Sequence, residues 1–282
     1  MNKQNMPLGI IAGGGDIPLI LAESLHAKGK LLFILAIEGE CDRKIEKYPH
    51  SWLNSIGCIG EAVEHLKKAG CRQIVMIGSM KRPNLKTLRV DKEGVKFLAK
   101  LLPGRLLGDD HVLSKLIAYF EKKEFEVLGA EQILEELAAP QGVLGKYKPS
   151  KEAKQAIQLG RKISLGVGKF DIGQASVICN GVVLALEAAE GTAKMLENLT
   201  SLPTEKRKGG VLVKLPKPNQ ERRVDLPCLG PKTVELSAKA GLSGIAFEAG
   251  GALLIHAEEM IALAEREGLF LIGIAREGAD KK

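Results

Sequence analysis

Long hydrophobic runs are missing from this 282-residue chain. The longest apolar stretches, such as residues 31–37, are far shorter than the roughly 18 residues that suggest a membrane span. The first 15 residues also lack the pattern of a signal peptide. We therefore expect a cytoplasmic protein without a membrane-spanning helix.

Aromatic residues are scarce, and the cysteines follow no recognisable spacing pattern. Aromatics make up 4% of the chain and no basic–aromatic stacking motif occurs, so the formal charge of +7 favours an anionic membrane surface or a phosphorylated substrate over nucleic acid. The five cysteines are scattered without a C-x-x-C pair, and the five histidines show no H-E-x-x-H spacing. Neither a disulfide framework nor a zinc site is indicated.

The first half of the chain follows a strand–loop–helix pattern. A short apolar strand at residues 8–12 leads into Gly13, Gly14, Gly15 and Asp16, after which a helical pattern begins. Glycines at such a turn let the backbone approach a ligand, and the helix start offers free N–H donors. The dinucleotide fingerprint G-x-G-x-x-G is incomplete because Pro18 stands at its third glycine position. Glu38 and Glu40 lie near where that fold places its ribose-binding acid.

Further strands at residues 31–37 and 73–78 predict a parallel, Rossmann-like sheet, because helical patterns separate them. The predicted strand at 73–78 is followed by a loop that consists of Ser79, Met80, Lys81, Arg82 and Pro83. Since carboxyl ends of parallel strands share one edge, we expect this loop and the glycine loop to lie together.

Asp109 and Asp110 precede a helical pattern that continues to Phe120. The pair is explained either by helix capping or by a contact to a metal or a ribose. A last helix is predicted at residues 131–138, and the Pro-, Gly- and Lys-rich stretch 140–150 is the expected linker. This division gives an α/β protein with a Rossmann-like domain at 1–139 and a smaller catalytic α/β domain at 151–282.

In the second half, acids and hydroxyls recur where strands are predicted to end. These residues are Asp171, Glu187, Thr192, Asp225 and Glu248. One continuous strand is predicted over 176–186, directly before Glu187, Glu190 and Thr192. Two or more of the acids, if they converge, would form an oxygen-ligand site for a divalent cation.

The stretch 217–250 is the most informative part of the chain. It places Asp225 between the basic pair Arg222 and Arg223 and a Leu-Pro step that resists helix. Pro231 then opens a helical pattern. The loop is read either as a place for phosphate chemistry or as a solvated turn with local ion pairs.

Seven motifs along the chain together resemble the UDP-2,3-diacylglucosamine pyrophosphatases of the LpxI type. They are AGGGDIP (12–18), GSMKRP (78–83), GDDHVL (108–113), DIGQ (171–174), EAAEGT (187–192), KPNQERRVDLPCLGPKTVE (217–235) and GLSGIAFEAG (241–250). The resemblance implies a Mg²⁺-dependent, two-domain hydrolase that cleaves UDP-2,3-diacylglucosamine to UMP and 2,3-diacylglucosamine 1-phosphate (lipid X) in lipid A biosynthesis. Its acylated substrate is expected between the domains.

The resemblance also implies residue roles. Asp225 is expected to be the essential acid and, with Glu187, a metal ligand, and Thr192 is expected on the phosphate side. The expected substrate-binding residues are Gly13, Gly14, Gly15, Asp16, Gly78, Ser79, Met80, Arg82, Asp109, Asp110, Gln174 and Arg223. Where the family often reads EGTD, this chain has Ala193; if that carboxylate is a ligand in the family, another acid such as Glu187 or Glu190 would have to serve here. A homodimer and peripheral association with the inner membrane are further expectations.

Two other functions fit parts of the sequence. The first strand, glycine loop and helix suggest a nicotinamide-dependent oxidoreductase, against which Pro18 counts. The basic composition suggests a non-catalytic protein that binds UDP-sugars or membranes. The production of UMP distinguishes hydrolysis from both.

Overall fold

The computed structural model describes residues 6–81, 83–84, 87–101, 109–218 and 220–276. The chain forms two compact units. The first contains Met1–Leu134 together with Arg223–Asp225, and the second contains Glu135–Arg222 and Leu226–Lys282. Within the described residues, no helix combines the length and hydropathy needed to cross a membrane.

The first unit is a five-stranded parallel sheet with strand order β3-β2-β1-β4-β5. Its elements are β1 (Leu8–Ala12), α1 (Ile17–Ala27), β2 (Leu32–Ile37), β3 (His50–Leu53), α2 (Ile59–Lys68), β4 (Gln73–Ile77), α3 (Lys92–Leu101), α4 (Asp109–Lys122), β5 (Glu126–Leu128) and α5 (Ala130–Ile133). The sequences LGIIA and LFILAI of β1 and β2 are apolar throughout and mostly buried, as expected for strands covered on both faces.

The second unit contains a six-stranded mixed sheet with strand order β6-β13-β11-β9-β7-β8 and a separate pair, β10 with β12. Its elements are β6 (Gly142–Leu144), α6 (Lys151–Gly168), β7 (Ala175–Cys179), β8 (Val182–Leu186), α7 (Gly191–Leu199), α8 (Thr204–Arg207), β9 (Val211–Lys214), β10 (Cys228–Leu229), α9 (Pro231–Lys239), β11 (Gly244–Glu248), β12 (Leu253–Leu254), α10 (Ala257–Glu267) and β13 (Phe270–Ile274). One apolar cluster joins the sheet to α7, α9 and α10, and another joins it to α6.

The α/β class, the two-domain organisation and the parallel first sheet are confirmed. The second unit is not the smaller one, since its sheet has six strands and the first has five. Within the expected linker, residues 142–144 form β6, which pairs antiparallel with β13. Part of that stretch is therefore an integral strand of the second sheet.

Two predicted elements differ from the structure. The single strand predicted over 176–186 is a hairpin of β7 and β8, because Asn180 (φ 50°) and Gly181 (φ 76°) form a tight turn between them. The helix predicted over 131–138 is a short α5 followed by a 3₁₀ turn at Glu135–Leu137. The hairpin matters for function, because it brings Glu187 back beside the start of β7.

Candidate active site

The two strand-end loops of the first unit pair with each other. The amide of Gly14 donates to the carbonyl of Ser79 at 2.7 Å, and the amide of Ser79 donates to the carbonyl of Gly14 at 2.8 Å. The amide of Gly13 donates to the carbonyl of Ile77 at 2.9 Å. The structure thus brings the AGGGD and GSM motifs together at the carboxyl edge of β1 and β4.

Steric crowding explains two of the glycines in these loops. A Cβ on Gly13 would lie 2.4 Å from the carbonyl oxygen of Ser79. Gly78 has φ +102°, and a Cβ there would lie 2.8 Å from backbone atoms of Gly13 and Gly14. These glycines allow one loop to pack on the other. Gly15 and Asp16 are exposed at the start of α1 and form the part of the loop that can face a ligand.

The other predicted site residues of the first unit are described by the structure only in part. Ser79 and Met80 are exposed. Asp109 and Asp110 are the first two residues of α4, as the sequence predicts for a helix start. The side chains of Asp109 and Asp110 and all of Arg82 lie outside the described residues.

A buried carboxylate organises the strand ends of the second unit. Glu187, which follows β8, is 7% exposed. Its Oε1 accepts a hydrogen bond from the Thr192 hydroxyl at 2.8 Å, and its Oε2 accepts one from the amide of Gln174 at 3.2 Å. Glu187 therefore ties the start of α7 to the segment before β7.

The same network continues into the segment that follows β9. The Gln220 side-chain amide donates to the Gln174 side-chain oxygen at 3.4 Å, and the Gln220 oxygen accepts from the amide of Lys217 at 2.8 Å. The Lys217 ammonium forms an ion pair with Asp171. Side chains from the DIGQ, EAAEGT and KPNQERR motifs are thus joined in one hydrogen-bonded network.

A second ion pair lies next to this network in sequence. Arg222 Nη2 lies 2.7 Å from Glu248 Oε1, and the Glu248 side chain is 6% exposed. Gly251 packs closely on this carboxylate, since a Cβ there would lie 2.6 Å from Oε1. Glu190, by contrast, is exposed and makes no side-chain cap to α7.

Asp225 belongs to the first unit, although the residues on either side of 223–225 belong to the second. Val224 packs against the first unit's apolar core, and Arg223 Nη1 lies 2.7 Å from Glu121 Oε1. The structure therefore fixes both residues before Asp225. Arg223 is held in an ion pair and is not simply solvated.

Comparison with known proteins agrees with this placement of the motifs. The family models for the LpxI N-terminal domain and the LpxI C-terminal domain match residues 7–137 and 140–272. The chain is also 39% identical over 272 residues to the UDP-2,3-diacylglucosamine pyrophosphatase LpxI of Caulobacter vibrioides, covering 95% of this chain and 97% of that protein.

The chain belongs to the LpxI family.

The resemblance read from the motifs is thereby confirmed, and family membership replaces the oxidoreductase alternative. The two LpxI domain matches meet between residues 137 and 140, close to the division between the compact units after Leu134.

The donor chemistry of this LpxI-family chain limits how a metal would bind. Among the described residues, no group of three His, Cys, Asp or Glu side chains is arranged to hold an ion. Mg²⁺ commonly uses one or two carboxylates and fills its remaining positions with water and substrate phosphates. The residues fit that mode and not a closed protein cage. Both Glu187 oxygens already accept hydrogen bonds from groups of the same unit.

Sequence reasoning missed two buried polar residues at the second sheet's edge. Gln220 and Lys214 are each 7% exposed. The signal for Lys214 was present, because it is the one charged residue in the otherwise apolar segment VLVKL. Gln220 had no local signal, since its importance comes from partners that are distant in sequence.

Proposed function

We propose that this chain hydrolyses the pyrophosphate linkage of UDP-2,3-diacylglucosamine, giving UMP and 2,3-diacylglucosamine 1-phosphate in lipid A biosynthesis. The observation that carries the proposal is the 39% identity, over 95% of the chain, to a pyrophosphatase of that name. The hydrogen-bonded network that joins three of the sequence motifs in the second unit supports it.

Pyrophosphate oxygens are already negative, so hydrolysis requires charge neutralisation and an oriented water. We assign Asp225 as the essential acid that holds the water or the ion. The pairs Arg222–Glu248 and Arg223–Glu121 support this role, because they hold the two arginines of the segment that leads to Asp225.

Thr192 is assigned to the phosphate side of the site. Its single hydroxyl proton is donated to Glu187, so the oxygen can only accept from a further partner. A phosphate would therefore meet Thr192 through its backbone amide in the first turn of α7, where amides lack partners within the helix. Gln174 and the Gly15–Asp16 end of the glycine loop are assigned to the rest of the substrate.

Mg²⁺ is the proposed cofactor, because the available ligands are hard oxygens. When bound, it would polarise a phosphoryl oxygen and balance part of the charge. Glu187 is better placed to position Thr192 than to bind the ion, since both of its oxygens are engaged within the unit.

The test is incubation of the purified full-length chain with UDP-2,3-diacylglucosamine and Mg²⁺, with chromatographic detection of UMP. We expect UMP release that stops with EDTA and returns with Mg²⁺ better than with Zn²⁺. Binding of the substrate without UMP release would support the non-catalytic alternative instead. Full activity in chelator would remove the metal from the proposal.

We also propose a cytoplasmic homodimer that associates peripherally with the inner membrane. The net charge of +7 supports attraction to an anionic surface, where an acylated substrate would reside. Co-sedimentation with anionic but not zwitterionic vesicles tests the membrane part. Analytical ultracentrifugation tests the dimer.

A further inference from the structure

Lys214 is a buried cation at the end of a central strand of the second sheet. It is the last residue of β9 and is 7% exposed. Its register partners are Phe247 on β11 and Ala175 on β7, both of which are 0% exposed. The lysine therefore lies between apolar neighbours, in a position that β-strands usually give to Val, Ile or Leu.

The charge of Lys214 is not balanced by the described part of the protein. Its Nζ donates to the carbonyl of Cys228 at 3.0 Å, and no described carboxylate lies within 4.0 Å of it. An ammonium has three donors, of which this carbonyl takes one. Burying such a charge without a counter-ion is strongly unfavourable.

Two neighbouring cations of the same unit, unlike Lys214, are paired with carboxylates. Lys217, whose side chain is 11% exposed, is paired with Asp171, and Arg222 is paired with Glu248. The unit thus supplies carboxylates to less buried cations and leaves the more buried Lys214 with a carbonyl. That contrast leaves Lys214 without a carboxylate partner among the described residues, at a site where an anionic ligand can pair with it.

The position of Lys214 in the fold points to the nature of this anion. The amide of Leu215, the next residue, donates to the carbonyl of Gln174 at 2.9 Å, which places Lys214 at the same sheet edge as the Glu187 network. The cation is therefore at the sheet edge that carries Glu187 and Thr192, which the proposed function assigns to the phosphate side.

We propose that Lys214 is a substrate-binding residue whose ammonium pairs with the pyrophosphate group of the substrate. The unbalanced charge calls for an anion, and the phosphate class of that anion follows from the position of Lys214 at the same sheet edge as the Glu187–Thr192 network. The identity of that ligand as a UDP-sugar rests on the proposed function. In this role Lys214 neutralises charge that the phosphates carry in the ground state and in the transition state, and it transfers no group itself.

The test compares Lys214→Met, which keeps the length of the side chain and removes its charge, with the exposed control Lys232→Met on α9. We expect kcat/KM for UMP release to fall about 100-fold in Lys214→Met, as for loss of one donor to a charged transition state. We expect Lys232→Met to stay within about twofold of the parent chain.

A second experiment measures the binding of inorganic pyrophosphate through its effect on the melting temperature, so that no turnover is needed. Inorganic pyrophosphate should raise the melting temperature of the parent chain and of Lys232→Met, and should leave that of Lys214→Met unchanged. Without ligand, Lys214→Met should melt at or above the parent temperature, because an uncompensated buried charge is replaced by an apolar side chain. If Lys214→Met does not fold, Lys214→Gln is used instead, since it keeps an N–H donor for Cys228.

The outcomes separate this inference from the proposed function. Parent-like kcat/KM together with a parent-like pyrophosphate shift in the Lys214 variant would overturn the inference and leave the function intact. A pyrophosphate shift that depends on Lys214 in a chain that releases no UMP would support the inference and refute the function. A lower melting temperature with an undiminished pyrophosphate shift would make Lys214 structural and would also overturn the inference.

Discussion

The two units place different chemistry at the carboxyl edges of their sheets. In the first unit, the described loops after β1 and β4 are joined by backbone hydrogen bonds between Gly14 and Ser79. In the second unit, the corresponding edge is joined by side chains of Glu187, Thr192 and Gln174. Similar α/β layers therefore hold a glycine-lined turn in one unit and a polar network in the other.

The burial of polar groups sharpens this comparison. The buried polar or charged residues of the described chain all lie in the second unit, and they are Ser164, Ser176, Glu187, Lys214, Gln220, Ser237 and Glu248. Because desolvating such groups costs free energy, their concentration in one unit favours that unit as the centre of chemistry. Asp225 is an exception to an assignment of the chemistry to the second unit, because it belongs to the first unit.

The largest effect we expect is from Asp225→Ala, which tests that exception. Hydrolysis should fall by about 10³-fold or more, because a charged group that acts in the transition state is lost. Folding should be retained, since Val224 and Arg223 still anchor the segment. The measurement is UMP release together with circular dichroism.

The matched control is Asp42→Ala, an exposed carboxylate of the first unit. It should retain the parent rate. Near-parental turnover by Asp225→Ala would remove this residue from the site and leave the chemistry wholly to the second unit.

The next largest effect concerns the network itself. Glu187→Gln has one acceptor oxygen in place of two, so it cannot accept from both Thr192 and Gln174 in the present geometry. We expect kcat/KM to fall about 10- to 100-fold, as is usual when a positioning contact is lost. The Mg²⁺ concentration for half-maximal activity should not change.

Glu190→Gln is the control, because Glu190 is an exposed acid of the same loop. It should behave like the parent chain. A rise in the Mg²⁺ requirement of Glu187→Gln would show instead that Glu187 is a metal ligand.

A smaller effect, on stability, is expected in the first unit. Gly78→Ala places a Cβ at φ +102° and 2.8 Å from backbone atoms of the glycine loop. The cost should be about 1–3 kcal/mol, and thermal unfolding should report it as a lower melting temperature. Gly166→Ala in α6 is the control of opposite sign, since a Cβ there meets nothing within 4 Å. Gly166→Ala should stabilise the chain by about 0.5–1 kcal/mol. If both variants changed the melting temperature by the same amount and in the same direction, the packing of the loop would not require Gly78.

Local patterns in the sequence predicted the alternating elements and the meeting of the glycine loop with the Ser79 loop. They could do so because apolar strands, turn glycines and helix starts have short-range signals. The β7–β8 hairpin was missed because eleven apolar-rich residues hid the Asn180–Gly181 turn. The Asn-Gly pair is itself a recognised sequence signature of a two-residue hairpin turn.

Other features of the candidate site depend on distant partners. The resemblance implied that Gln174, Glu187 and Thr192 all belong to the site, but only the fold shows one carboxylate joining them. The membership of Asp225 in the first unit depends on the packing of Val224 into a core built from residues 11–127. No local pattern carries such information, because burial of a single valine is decided by long-range packing.

The smallest expected effect comes from a surface carboxylate of the first unit and contrasts with the Arg222–Glu248 pair of the second, in which the carboxylate is buried. Glu93 accepts from Lys96 at 2.8 Å and from Lys123 at 3.1 Å, and these hydrogen bonds lower its pKa to about 2. Because the folded pKa is below the ordinary value of 4.5, the stabilisation is present above about pH 4.5 and is lost as the pH falls toward 2.

Glu93→Gln should therefore melt slightly below the parent chain at pH 6, and this difference should disappear as the pH falls through about 2. The exposed Glu64→Gln is the control and should follow the parent chain at both pH values. The difference at pH 6 should shrink in about 1 M salt, where the Debye length is about 3 Å, because Lys96 is largely exposed. The contribution of the Arg222–Glu248 pair to stability should change much less with salt, because the Glu248 carboxylate is buried. A Glu93 effect that is as large near pH 2 as at pH 6 would show that the side chain stabilises α3 by packing and not by charge.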